Sequence, residues 1–235
     1  MSFAPQRRFW TRASVRPDEE GFAVALDARP LRTPAGATLR LPAEPLAAAI
    51  AAEWDALETE VAPHLLPLTR LANSAIDRVA PQRAAVAAQI ARYGGTDLVC
   101  YRAEAPEVLA DRQAAAWDPW LRWAGRSLGA PLLATSGVMP ERQPAASLAA
   151  LAAAVAAEEA FGLVALHDLV ALSGSLVLGL AVRRGALDPG EAWALSRLDE
   201  TWQAEQWGLD SEAERAAGAS RGDFLAAARF SALLA

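Results

Sequence analysis

The chain has 235 residues, which is enough for one large domain or two small domains with a substantial core. Apolar residues make up 53% of it and charged residues 21%, and this balance excludes an intrinsically disordered chain. Its net charge is −6, and all of its basic residues are arginines. That charge excludes a general electrostatic attraction to nucleic acid, so we expect no nucleic-acid partner.

The first forty residues carry strand and turn patterns. After the turn PDEEG, apolar and small residues alternate over residues 22–26, and a further short strand is predicted at 38–41. The two segments are separated by LDARPLRTPAG, which is rich in turn residues. This succession predicts a small antiparallel sheet built from hairpins.

Helical spacing of apolar residues dominates from residue 42 onward. It predicts an α+β fold, with a small N-terminal antiparallel domain followed by a larger, mainly α-helical domain. We place the β-rich domain with its flanking helices at 1–80 and the helical domain at 81–235. The predicted helices are 44–57, 68–79, 81–93, 106–129 with a break or kink at Pro119, 148–159, 163–182, 189–207 and a last one from Asp210.

Residues 161–182 form an apolar stretch long enough to cross a bilayer, which takes about 20 residues. His167 and Asp168 interrupt it, and a charge at the bilayer centre is unfavourable. The stretch is therefore interpreted as a buried core helix, and we expect no membrane partner. The alternative, a membrane-associated helical protein, stays open at this point.

Several kinds of catalytic or cofactor site have no basis in the sequence. Phosphate loops of the type that ends in lysine are excluded because the chain has no lysine, and two histidines with one cysteine argue against zinc. Cys100 lies in an apolar segment, which predicts a buried, inert thiol in a reducing compartment. We expect no cofactor and no metal. His167 is expected in a hydrogen-bonded interior position, with a functional role as the alternative.

The segment LDETWQAEQWGLD, residues 198–210, concentrates tryptophans and carboxylates. On a helix, Trp202 shares a face with Glu205, whereas Trp207 shares a different face with Glu200 and Gln203. One interpretation is a solvated helix end with two packing tryptophans. The other is a recognition face, because tryptophan is enriched in binding hot spots. The candidate partner-binding residues are Asp199, Glu200, Trp202, Gln203, Glu205 and Trp207.

An enzyme is the competing function. A carboxylate-dependent hydrolase of unknown substrate would need paired carboxylates held across a cleft, usually from different segments. Here the acidic residues share one predicted helix and no cleft is evident. Four other residues are predicted to be structural: Trp54 in the core between the two domains, Asp97 as a turn cap, Tyr101 beside it, and Trp117 in a helical stripe with Trp120 and Trp123.

The segment DETWQAEQWG, residues 199–208, resembles a signature of the assembly chaperones that act on the alpha subunit of the soluble head of F-type ATP synthase. Further resemblances follow in family order over nearly the whole chain. They are RRFW from residue 7, LDARPLRTPAG from 26, LPAEPLAAAIAAEWDA from 41, PLTRLANSAIDRV from 67, YGGTDLVCYRA from 93, WDPWLRW from 117 and GSLVLGLAVRRGALDPGEAW from 174.

The resemblance implies a protein that is not an enzyme. Members of the family bind newly made alpha subunit and keep it from aggregating until a beta subunit replaces the chaperone. Glu205 matches the acid of the family pattern Trp-Gln-x-Glu-x-Trp, and Glu200 matches its Asp-Glu start, so both are expected to contact the client. Trp202 and Trp207 are expected to anchor the client or to fix the helix.

The resemblance also implies a location. The family works in the mitochondrial matrix or the bacterial cytoplasm. Because the resemblance to the family begins by Arg7 and no transit peptide is visible, we expect the protein to work in the bacterial cytoplasm. We also expect it to be a monomer.

Overall fold

The computed structural model describes residues 6–137, 141–208 and 211–234. Its strands are short except for β2 and β3. They are β1 Gln6–Arg7, β2 Ala13–Asp18, β3 Gly21–Leu26, β4 Arg29–Pro30, β5 Arg40–Leu41, β6 Glu60–Val61, β7 Tyr101–Arg102 and β8 Thr135–Ser136.

The predicted N-terminal antiparallel sheet is confirmed. Strand β3 pairs with β2, β4 and β5, and Val15 lies opposite Val24 in the central pair. The turn into β3 requires glycine, because Gly21 has φ +139° and a Cβ added there would lie 2.4 Å from the carbonyl oxygen of Leu41. Glycine therefore lets β5 approach the start of β3.

Helices make up most of the rest of the described chain. They are α1 Glu44–Asp55, α2 Pro67–Ser74, α3 Arg83–Ala91, α4 Glu107–Leu128, α5 Ala145–Ala156, α6 Ala160–Ser173, α7 Leu176–Arg183, α8 Pro189–Ser196, α9 Leu198–Trp207 and α10 Ser211–Ala232. A π-helical turn, Ala75–Val79, continues α2.

Two packed groups build the core. Helix α1 lays Leu46 and Ile50 against β2 and β3, and both side chains are fully buried. Helix α6 packs against α3, α7 and α10, and its Leu163, Leu166 and Leu169 are fully buried. Helix α2 lies before residue 80 yet contacts both α6 and α10. The division into domains 1–80 and 81–235 stays a prediction.

The predicted helix 163–182 is wrong as one continuous helix. It divides into α6 and α7 at Gly174, which has φ +72° and ends α6, and at Ser175, whose side chain accepts a hydrogen bond from the backbone N–H of Leu178. A left-handed glycine and a serine N-cap are the usual end and start of two separate helices. None of the helices in the described ranges is long and apolar enough to cross a membrane.

Two other predicted features of the helices differ at least in part from the structure. Helix α4 continues through Pro119 without a break, and Ala115, whose carbonyl would ordinarily accept from residue 119, is an exposed residue. The alternative of a kink at Pro119 stays a prediction. The predicted helix 189–207 divides into α8 and α9 at Arg197, where φ −109° and ψ 18° leave the helical region. The predicted start of the last helix, Asp210, lies outside the described residues.

Candidate partner-binding site

Helix α9 carries the tryptophan and carboxylate motif, and α8 sets its position. Asp188 begins α8 by accepting hydrogen bonds from the backbone N–H groups of Gly190 (2.8 Å) and Glu191 (3.0 Å). Trp193 in the middle of α8 is buried, with its ring 5.5 Å from that of Phe224 on α10. The turn at Arg197 then redirects the chain, so that α9 runs along the N-terminal half of α4.

The contacts between α4 and α9 follow an antiparallel order. Arg112 meets Glu205 and Gln113 meets Asp199, while Trp117 donates from Nε1 to the carbonyl oxygen of Leu195 at 3.0 Å. Residue numbers rise along α4 as they fall along α9 and the end of α8. The pairing fixes one side of α9 to the body of the molecule.

Glu205 is bound to α4 by a fork of two hydrogen bonds. Arg112 donates from both terminal nitrogens to the two carboxylate oxygens, at 2.6 and 3.0 Å. The same guanidinium lies 5.9 Å from the centre of the Trp202 ring. The hydrogen bonds from Arg112 hold the pKa of Glu205 below its ordinary value, and the pKa of Arg112 is raised in return.

Asp199 belongs to a partly buried chain of hydrogen bonds. The amide of Gln113 is buried, and its Nε2 donates to Asp199 Oδ1 at 2.7 Å. Its Oε1 accepts from the backbone N–H of Ala103 at 2.7 Å. Asp199 thus links α9 through α4 to the segment that follows β7.

Glu200 and Gln203 face solvent on the other side of α9. Glu200 pairs with Arg197 one turn earlier, at 2.9 Å, and Arg197 lies over the Trp193 ring at 5.3 Å. The two motif tryptophans differ in environment. Trp202 is half-buried, whereas Trp207 is 78% exposed and is the most exposed large apolar side chain among the described residues.

A groove of about 750 Å³ runs between α9 and the first turns of α10. Trp207 and Gln203 line it from α9, and Ala213, Ala216 and Ala217 line it from α10. The expectation of no cleft near the motif is therefore wrong. The spacing of these alanines at i, i+3 and i+4 was the available signal, but alanine is so frequent in this chain that the pattern stands out little.

The four residues predicted to be structural lie away from the groove. Trp117 is 1% exposed. Trp54 is half-buried, donates from Nε1 to Thr69 Oγ1 at 3.1 Å and packs edge-on against Trp10. Asp97 is fully buried and caps the 3-10 turn Leu98–Cys100, as predicted. Tyr101 is half-buried in β7.

Burial raises the pKa of the Cys100 thiol to about 12, in agreement with an inert side chain. The interior position expected for His167 is wrong. His167 and Ala171 lie one turn apart on the exposed side of α6, and the His167 Nδ1 lies 2.9 Å from Asp168 Oδ1. The hydrogen bond to Asp168 raises the pKa of His167. The His167 ring contacts Asp168 although adjacent residues on a helix point in different directions.

The three motif carboxylates do not converge on a common point. Each has its own partner: Gln113 for Asp199, Arg197 for Glu200 and Arg112 for Glu205. Across the described ranges, histidine, cysteine and carboxylate side chains form no cluster of three that could hold a metal ion. This arrangement suits attachment of α9 and presentation of its outer face.

Residues 7–125 match the sequence profile described as ATP12 chaperone protein, which is just over half of the chain. A solved structure of Atp12 from Paracoccus denitrificans is 53% identical and superimposes with a TM-score of 0.95, with 97% of this chain and 98% of that chain covered. The chain belongs to the ATP12 chaperone family. The expected family, and the expected succession of a small sheet and a mainly helical region, are thus confirmed.

Two further relatives of this ATP12 family member extend the comparison. A protein of Agrobacterium tumefaciens described as a putative chaperone is 42% identical, with a TM-score of 0.94 over 98% of this chain and 87% of that one. The mitochondrial protein atp12 of Schizosaccharomyces pombe is 27% identical over 214 residues, which cover 86% of this chain and 74% of the relative.

Proposed function

We propose that this chain binds the unassembled alpha subunit of F-type ATP synthase, shields its subunit interface and is released when the beta subunit docks. Membership of the ATP12 chaperone family supports the chaperone role. The resemblance of the α9 segment to the signature of alpha-subunit chaperones supports the client. An unassembled subunit exposes an apolar interface that promotes self-association, and a chaperone must cover it reversibly.

The exposure of Trp207 carries this proposal. A tryptophan that is 78% exposed is unfavourable for an isolated protein, and here it borders a groove on the motif helix. Glu200 and Gln203 lie beside it as polar rim residues. On the side toward α4, Asp199, Trp202 and Glu205 hold the helix in place. We therefore assign all six motif residues to the proposed binding site. Glu200, Gln203 and Trp207 are proposed to contact the client, and the three on the α4 side to hold the helix that presents them.

The proposed setting is the bacterial cytoplasm, which fits the similarity to the Paracoccus denitrificans protein. The fission yeast relative is mitochondrial by its description. We propose no catalytic activity and no cofactor, because the motif carboxylates are each held by a separate partner. Binding is therefore proposed to end by displacement of the chaperone.

Size-exclusion chromatography with the alpha and beta subunits of the cognate ATP synthase tests the client. We expect co-elution with alpha and not with beta, and loss of the alpha complex when beta is added. Co-elution with beta alone, or with neither freshly released subunit, contradicts the proposal. Circular dichroism of the wild-type chaperone before mixing should confirm that it is folded, so that a lack of co-elution reports a lack of binding.

A further inference from the structure

We propose that the groove between α9 and α10 receives a helix of the client that is apolar on one face and carries a basic residue at its edge. This inference rests on the proposed alpha-subunit client and adds where and how that client is recognised. It concerns the outer face of α9, and the opposite face of that helix is occupied by α4.

The walls of the groove suit a helix. On α10, Ala213, Ala216, Ala217 and Ser220 follow the spacing i, i+3, i+4, i+7 and form a ridge of small side chains along one side. Small residues let a second helix approach closely, since ridges of one helix pack into grooves of another at interaxial distances of about 8–10 Å. On the opposite wall, Trp207 supplies the large apolar surface.

The first turns of α10 are exposed to solvent, so that their alanine ridge is accessible to a partner. Residues 211–216 are all exposed, and the buried residues of α10 begin at Phe224. The later part of α10 contacts α2, α6, α7 and α8, and Trp193 and Leu172 from α8 and α6 close the floor of the groove. A third helix laid between α9 and α10 would bury both the alanine ridge and Trp207.

The charges at the rim of the groove indicate which charge the edge of the client helix carries. Two carboxylates line the groove, Glu200 and Glu214. The Arg197 guanidinium lies 2.9 Å from the Glu200 carboxylate and neutralises it. The Glu214 carboxylate, by contrast, has no ion-pair or hydrogen-bond partner in the described part of the chain. A lysine or arginine of the client beside Glu214 would complete an ion pair at the rim. Rim pairs of this kind fix register and raise the association rate.

Filling the groove tests the site, with alpha subunit as the probe and surface-immobilised wild-type chain as the reference. Ala216→Trp places a ring inside the groove, while Ala219→Trp makes the same change at an exposed position of α10 that does not line it. We expect Ala216→Trp to weaken alpha binding by about tenfold or more and Ala219→Trp to leave it within about twofold. Both variants should retain the wild-type circular dichroism spectrum.

Reversing the rim charge tests the basic edge. Glu214→Arg should slow alpha association and reduce its dependence on salt, while Glu58→Arg, at an exposed loop position, makes the same change in net charge as a control. Cross-linking from a photoreactive residue at position 216, followed by mass spectrometry, should identify one helical, basic-edged segment of alpha.

The outcomes separate the two proposals. If wild-type chain fails to bind alpha at all, the proposed function is wrong. If wild-type chain binds alpha and Ala216→Trp binds equally well, the client is right and the groove is not its site. Cross-links from position 216 to a second copy of the chain, or to a non-helical segment of alpha, would also contradict the proposed occupant.

Discussion

The Glu205 carboxylate on α9 and the Arg112 guanidinium on α4 form two parallel hydrogen bonds, although 93 positions separate them in the sequence. A bidentate arginine–carboxylate contact fixes both distance and orientation. It therefore joins the motif helix to the long helix α4 beside it. Because both oxygens of Glu205 are engaged, its role in holding α9 and any role in touching the client need separate tests.

Exchanging the two charges separates these roles. Glu205→Lys alone places a cation against Arg112, so we expect it to loosen α9 as well as to weaken alpha binding. The double variant Arg112→Glu with Glu205→Arg restores an opposite-charge pair. If Glu205 touches the client, the double variant should regain the thermal stability of the wild type but bind alpha about tenfold more weakly or worse. Differential scanning calorimetry and surface plasmon resonance measure the two quantities.

Full recovery of binding by the double variant would show that Glu205 acts solely by positioning α9. The single variant Arg112→Gln serves as the control for loss of the pair without reversal of charge.

The Arg112 pair also predicts a pH dependence. Its hydrogen bonds hold the folded-state pKa of Glu205 below the ordinary value of 4.5. A lowered folded pKa means that the stabilisation is present above pH 4.5 and is lost as the pH falls through the folded value. We expect the stability difference between wild type and Glu205→Gln to be constant near neutral pH and to vanish in acid. Urea unfolding between pH 3 and pH 7 measures it, and carbon NMR of the carboxyl group in Arg112→Gln should show the pKa returning toward 4.5.

Local signals predicted the elements that depend on neighbouring residues. The hairpin of β2 and β3 follows from alternation and a turn, and the start of α8 follows from Asp188 and Pro189. The division at Gly174 and Ser175 had a local signal too, but the continuous apolar run around it favoured a single helix. The apolar pattern extended over 22 residues, whereas the signal for a helix end was confined to two residues. The prediction followed the longer pattern and was wrong there.

Long-range partners had no local signal. Glu53 on α1 accepts hydrogen bonds from the backbone N–H groups of Leu68 and Thr69, and so caps α2 from 15 residues away. The groove likewise depends on the angle at which α10 leaves the body. The sequence therefore indicated which residues form the motif, while which face each one presents depended on tertiary contacts with α4 and α10.

Two tryptophans should respond to truncation in opposite ways. Trp117 is 1% exposed and its Nε1 donates to the Leu195 carbonyl, so Trp117→Ala should lower the free energy of unfolding by about 3–5 kcal/mol. Trp207 is 78% exposed, so Trp207→Ala should change stability by no more than about 0.5 kcal/mol. Because Trp207 is a proposed anchor, however, Trp207→Ala should weaken the free energy of binding to alpha by about 2 kcal/mol or more.

Chemical denaturation and alpha-binding isotherms on the same preparations measure both effects. Phenylalanine at position 207 is the matched variant, because it keeps most of the apolar area and should keep most of the binding. A Trp207→Ala variant that binds as tightly as wild type would remove this residue from the proposed site.

Asp97 joins two segments of the helical region from a fully buried position. Its Oδ1 accepts from the backbone N–H of Val99 at 3.2 Å, and its Oδ2 accepts from that of Val177 at 2.9 Å, in the first turn of α7. Asp97→Ala should leave two buried N–H groups without acceptors. We expect a loss of about 1–3 kcal/mol in unfolding free energy for each group, measured by urea denaturation.

Titration of Asp97 gives this residue a second signature. Burial raises its pKa from 3.8 to about 6, although hydrogen bonds from Ser175 and the backbone act in the opposite direction. A raised folded pKa means that the contribution of this carboxyl is fully present below pH 3.8 and is lost as the pH rises through 6. The stability of wild type relative to Asp97→Asn should therefore fall between pH 4 and pH 6 and stay level above that range. Glu205→Gln is the control, because its difference from wild type changes in the opposite direction with pH; a flat Asp97→Asn difference would mean that Asp97 does not titrate in this range.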